Sequence, residues 1–196
     1  MTSPQPQTIV LDLCGGTGAW SAPWKDAGYD VRVITLPDHD VRDYIPPEKV
    51  YCILAAPPCT EFSFAKNVHG SKCTRDFKKG LELVGACLRV VYVTKPVVWA
   101  LENPRGYLRR FLGNPDLTFD PYDYGDPYKK KTDLWGVFAK PKKNPVKPEN
   151  IKFSLMKSSE IVPELYGKLT RQERRSITPS GFAKSFFEAN KYGVRP

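Results

Sequence analysis

The 196-residue chain predicts a single α/β domain built on a doubly wound, mainly parallel sheet, and three observations carry that expectation. Apolar runs at 9–13, 31–36, 50–54 and 97–101 each lead into glycine, proline or acidic residues, as buried parallel strands do where they feed loops at one sheet edge. Between the last two runs, Phe77, Leu81, Val84, Leu88 and Val91 recur at spacings of three and four, which predicts a helix over 74–94 that crosses back to the sheet. The length suits one domain with a sizeable core and falls short of two ordinary ones.

In chain order, the first run (Ile-Val-Leu-Asp-Leu) passes directly into Cys14-Gly15-Gly16-Thr17-Gly18 and then an amphipathic segment that ends near Gly28. This reads as strand, glycine turn, helix. Such a turn lets a ligand lie against bare backbone at the carboxyl edge of the first strand, where open α/β sheets bind nucleosides. The turn lacks the Gly-x-Gly-x-x-Gly of dinucleotide sites and the Gly-Lys-Ser/Thr of a P-loop, which disfavours pyrophosphate recognition. Asp12 at the strand's end suits an amino group or a ribose, so the turn points to S-adenosylmethionine rather than NAD or ATP. The second run ends at Leu36, followed by Pro37-Asp38-His39-Asp40-Val41. Asp40 is assigned to an adenine amino group, since no acid stands at 35 or 36, where one would meet the ribose.

The third run leads to Ala55-Ala56-Pro57-Pro58-Cys59-Thr60-Glu61-Phe62-Ser63. Each proline fixes its own φ and biases the residue before it toward extended backbone, so the loop is stiff and carries a cysteine at its tip. A stiff loop can aim a thiolate. The stretch from Lys66 to Cys73 is polar and reads as a loop that covers the site. Pro96 stops the long helix, and the fourth run ends in Glu102-Asn103-Pro104.

Thirty Lys and Arg against twenty-one Asp and Glu leave a net charge of +9, which favours phosphate-rich partners and salt-sensitive binding. The five cysteines form no Cys-x-x-Cys pair and the two histidines are far from ligand spacing, so neither a metal site nor a disulfide framework is expected. No apolar run approaches a membrane span. The polar amino terminus lacks a secretion signal, and a cytoplasmic protein is expected.

Asp12 to Gly18, Pro57-Pro58-Cys59 with Phe62-Ser63, and Glu102-Asn103-Pro104 resemble, in order, the first, fourth and sixth signature motifs of the DNA (cytosine-5) methyltransferases. The similarity covers roughly residues 9 to 138, and 178–190 is similar to that family's closing helix. The resemblance implies a Rossmann-like methyltransferase fold. It also implies S-adenosylmethionine bound by Asp12, Cys14, Gly15, Gly16, Thr17, Gly18, Leu36, Asp40, Val41 and Pro58. Catalysis would fall to Cys59 as nucleophile, with Glu102 as acid and Asn103 and Pro104 holding it in place. Where the family carries a Gln-x-Arg-x-Arg signature, this chain has Tyr128-Lys129-Lys130-Lys131-Thr132. Lys131 is the nominee for base contact, and which lysine acts stays open.

The whole chain, 1–196, is expected to be one catalytic domain. The basic insert at 139–177 is too short for a target-recognition domain, so either a short context is read directly or a protein partner supplies recognition. DNA is the expected partner. RNA, a free cytosine nucleotide, an inactive cofactor-binding subunit, and a Cys-His hydrolase using His39 or His69 are the alternatives.

Overall fold

In the computed structural model, residues 8–67, 74–149 and 167–193 are described. Six strands form one sheet in the order β2-β1-β3-β4-β6-β5, with β1 Ile9–Leu13, β2 Asp30–Ile34, β3 Cys52–Ala55, β4 Val98–Pro104, β5 Leu117–Phe119 and β6 Thr132–Val137. The first four strands are mutually parallel, whereas β6 runs antiparallel to both β4 and β5. Most of the Lys66 to Cys73 stretch and much of the 139–177 insert lie outside the described residues.

Alternation along the strands sorts side chains onto the two faces. Leu11, Leu13, Ile53, Ala55 and Leu101 join Val84, Cys87, Val90 and Val91 of helix α2, Phe77–Thr94. On the opposite face Val10, Cys52, Leu54, Val98 and Ala100 join Trp24 of helix α1, Ala22–Asp26, together with Phe182 and Phe186 from the carboxyl-terminal helix Ser180–Asn190. Phe182 is stacked on Phe119 at 4.0 Å. The sheet is therefore covered on both faces, as the doubly wound expectation requires, and the fold is a Rossmann-like α/β fold.

Helix ends follow local chemistry. The side chain of Asp76 accepts a hydrogen bond from the Lys79 amide at 3.0 Å and caps α2. Lys95, left-handed at φ 47° and followed by Pro96, ends it. Helix α1 is shorter than its amphipathic segment suggested: it begins at Ala22 with Pro23 in its first turn, and Gly28, at φ 87°, closes the turn beyond it.

Two expectations shift, and one strand was not foreseen. β2 ends at Ile34, because Leu36 enters a cis Leu36–Pro37 turn with 66% of its surface exposed. β4 continues through Glu102, Asn103 and Pro104, which pair with Leu134, Asp133 and Thr132 of β6. These three residues are thus held in the sheet by an antiparallel neighbour. β5, at three residues, is too short to show a period in the sequence. Among the described residues no helix is long and apolar enough to cross a membrane.

Candidate active site

Parallel strands deliver their carboxyl ends to one edge, and the strand order makes those ends neighbours at about 4.8 Å per strand. Along that edge come the loop after β2 (Leu36 to Val41), the Cys14–Gly18 turn after β1, the Pro57–Cys59 loop after β3, and Glu102–Asn103 at the end of β4. The chain leaves β1 toward β2 on one side and returns as β3 on the other. That reversal opens a crevice between the β1 turn and the β3 loop. Because β6 is antiparallel, its beginning lies at the same edge, and the lysines at 129–131 arrive there with it.

The Cys59 loop is fastened from two sides. The fully buried Asn103 donates through Nδ2 to the Pro57 carbonyl at 2.9 Å, and leaving such a buried carbonyl unpaired costs about 1–3 kcal/mol. The Cys59 carbonyl accepts from the amides of Phe62 at 3.0 Å and Ser63 at 2.8 Å, which turns the chain tightly behind the thiol. Tyr107 donates its amide to the Phe62 carbonyl at 2.8 Å. A Cβ on the intervening Gly106 would stand 2.3 Å from that same oxygen, so only glycine admits this approach. Pro57 is buried and Pro58 exposed.

The electrostatics pair a thiol with an acid. Burial pushes the Cys59 thiol up and the neighbouring Glu102 adds to this, while the charges of Lys130 and Arg175 pull it down. Burial likewise raises Glu102, opposed by Lys130 and reinforced by Asp133. Glu102 is thus biased toward its protonated, proton-donating form. Asp133 is itself fully buried and engaged by Arg109 Nε at 2.6 Å and Thr118 at 2.7 Å.

Lys130, not Lys131, is the lysine whose charge reaches both groups. Its ammonium lies 3.5 Å from the Ile177 carbonyl, whereas the half-exposed Lys131 turns to Asp120 at 3.9 Å. In extended chain, neighbours face opposite ways. Arg175 sits in the short helix Arg171–Ser176, which opens with a Thr170/Glu173 capping box. The lysine run was visible in the sequence, but nothing there distinguished Lys130 or linked Arg175 to Cys59.

At the turn after β1, Gly16 has φ 54° and open space where a side chain would project, and Gly18 has φ 72°. Asp12 is fully buried beneath the turn: a Cβ on Gly15 would lie 2.4 Å from its carboxyl carbon. Ser21 donates to Asp12 at 2.6 Å, the other carboxyl oxygen has no partner, and burial pushes the group up to about 6 against the Ser21 bonds. As placed, Asp12 props the turn instead of lining the crevice. Cys14, at φ 56°, is partly buried and packs toward the core, where its thiol meets Cys87. Thr17 is exposed on the turn.

Beyond the turn lies a cleft of about 500 Å³ lined by Leu36, Pro37, Asp38, His39, Asp40, Tyr44 and Ile45, among others. Leu36 and Ile45 are 66% and 87% exposed there. The Asp40 carboxylate is already taken by Arg42, through its amide at 2.9 Å and Nε at 3.0 Å, and these bonds hold it down to about 2. An adenine amino group would have to share an oxygen with that guanidinium. Val41 is buried in the core, so only its backbone can face a ligand. His39 belongs to this cleft, two strands from Cys59, which removes it as a hydrolase partner; His69 lies outside the described residues.

No family model and no curated protein matches the chain. Among solved structures it is similar to a provisionally assigned DNA modification methyltransferase encoded within a prophage (E. coli), at 19% identity and a TM-score of 0.47. The match covers 72% of this chain and 53% of that one, so the chain spans about half the length of that structure.

Proposed function

We propose that the protein transfers a methyl group from S-adenosylmethionine to carbon 5 of cytosine in DNA, through a covalent bond between Cys59 and carbon 6. One observation carries the reading: Cys59, Glu102, Asn103 and Lys130 meet at adjacent strand ends, beside a glycine turn with open space above it. Carbon 5 of cytosine is too weak a nucleophile to accept a methyl group unaided, and the arrangement supplies what it lacks.

The Cys59 thiolate donates its electron pair to carbon 6. The displaced ring electrons are accommodated as Glu102 delivers its proton to N3, leaving an enamine whose carbon 5 is nucleophilic. Asn103 fixes the thiol-bearing loop against the strand that carries the acid. After methylation, water takes the carbon 5 proton, the electrons of that bond restore the ring double bond and expel the thiolate, and Glu102 recovers its proton from N3. The addition needs the face of the ring, so a base in a duplex must leave its stack.

The residues at the β1 and β2 ends suit the cofactor. The bare backbone at Gly16 and the cleft edged by the exposed Leu36 and Ile45 offer room and an apolar surface for a nucleoside, with Pro58 on the far side of the crevice. Bound there, S-adenosylmethionine supplies an electrophilic methyl group. A folded Gly16→Leu protein, its side chain projecting into that room, is expected to lose at least tenfold in affinity for the cofactor by calorimetry. Unchanged affinity would remove the turn from the binding site.

The substrate class is tested by incubating the protein with methyl-labelled S-adenosylmethionine and, separately, DNA, RNA and dCMP. Label is expected on cytosine carbon 5 of the DNA. The net charge of +9 favours a polymer of phosphates over a free nucleotide, and label confined to dCMP would reverse that choice. Sequence recognition through a protein partner belongs to the same proposal, as does a cytoplasmic location.

A further inference from the structure

Directly after the Cys59 loop, the turn Phe64–Asn67 lifts Phe64 to 49% exposure. Its ring meets Tyr107 edge-on, with centroids 5.0 Å apart and planes at 78°. Two guanidiniums lie over the same tyrosine, Arg75 at 4.6 Å and Arg110 at 4.7 Å. Arg75 also donates to the carbonyls of Glu61 at 2.8 Å and Ser63 at 3.0 Å, which ties it to the loop that bears Cys59. Beneath them the rings of Phe77 and Phe111 pack on the fully buried Phe62. The exposed array is therefore anchored in the core.

Arg110 and Arg105 add positive charge at this surface. The ion pairs among the described residues leave out both Arg110 and the nearby, exposed Arg105. A half-exposed aromatic face beside arginines is the chemistry that holds single-stranded nucleic acid, with a base stacked on the ring and phosphate on the guanidiniums.

We infer that Phe64, Tyr107 and Arg110 form a strand-holding platform beside Cys59, which stacks an unpaired base next to the target and binds its phosphate. The inference rests on the nucleic-acid reading proposed above and adds to it a surface and a preference. A base inside a duplex has both faces covered by its neighbours. An unpaired one can reach Phe64.

Fluorescence anisotropy with a labelled short single strand and the matching duplex, over a series of salt concentrations, tests this directly. Phe64→Ala should weaken single-strand binding roughly tenfold, the scale of one lost base stack, with the salt slope unchanged. Phe64→Leu keeps apolar packing but has no flat face, and should bind as weakly as Phe64→Ala. Arg110→Gln should lower the slope of log affinity against log salt by about 0.7, one phosphate contact on a single strand, and Arg110→Lys should restore it. All four proteins should melt like the wild type, since the replaced groups are exposed.

Wild-type affinity and slope in Phe64→Ala and Arg110→Gln would overturn the platform, as would equal losses on duplex and single strand. Trapping at Cys59 of the wild type by a strand carrying fluorine at cytosine carbon 5 separates the two readings. If no adduct ever forms at Cys59 while strand binding still depends on Phe64 and Arg110, the methylation reading falls and the platform stands. If adducts form and neither replacement alters binding, the platform alone falls.

Discussion

Cys59→Ser is expected to abolish methyl transfer, by roughly 10⁴-fold or more, the scale on which loss of a covalent nucleophile is felt. A DNA strand carrying fluorine at cytosine carbon 5 makes the test specific. The ring accepts Cys59 and the methyl group, but fluorine cannot leave as a cation, so the adduct persists and can be mapped by mass spectrometry. The wild type should trap through Cys59, whereas Cys59→Ser should trap nothing while still binding cofactor. Cys14→Ser, Cys52→Ser, Cys73→Ser and Cys87→Ser should each retain trapping. Cys52 and Cys87 are buried in the two cores, and Cys14 packs toward Cys87. An adduct on any of these, or normal turnover by Cys59→Ser, would refute the assignment.

Glu102→Gln should slow methylation by about 10²- to 10⁴-fold, the usual worth of a positioned acid. The amide keeps the shape of the side chain and loses the proton for N3. The same replacement should have the opposite effect on simple alkylation. Once ionised, Glu102 is one of the groups raising the Cys59 thiol; without that charge the thiol ionises at lower pH, and iodoacetamide should modify Cys59 faster at mildly alkaline pH, where the wild-type acid has lost its proton. Slower turnover together with faster alkylation identifies Glu102 as an acid adjoining the thiol. If both rates fall together, the variant has damaged the loop and the acid role is unsupported.

Local pattern was enough for the elements nearest the site. The run at 9–13 became β1 with its predicted bounds, and 74–94 became α2 once Asp76 and Lys95 set its ends. The glycine turn, the Pro57-Pro58-Cys59 loop and Glu102-Asn103 were each placed at strand ends by the same reasoning. Side-chain direction was harder. Asp12 stands near the end of β1 and Asp40 in the loop after β2, yet one is buried under Gly15 and the other is held by Arg42. Sequence position gives no hint of either partner.

What the sequence by itself determined is the set of parallel strands and their polar endings, because periodicity and turn chemistry act over a few residues. Only the tertiary structure decided which endings became neighbours. It bonded Asn103 to Pro57 across 46 positions. It ran β6 antiparallel, which brought the lysine run to the edge that holds Glu102, where the charge of Lys130 reaches the acid. It also brought Arg175 within electrostatic reach of Cys59. Contacts of that kind are set by sheet order and packing between segments distant in the chain, which no local pattern encodes.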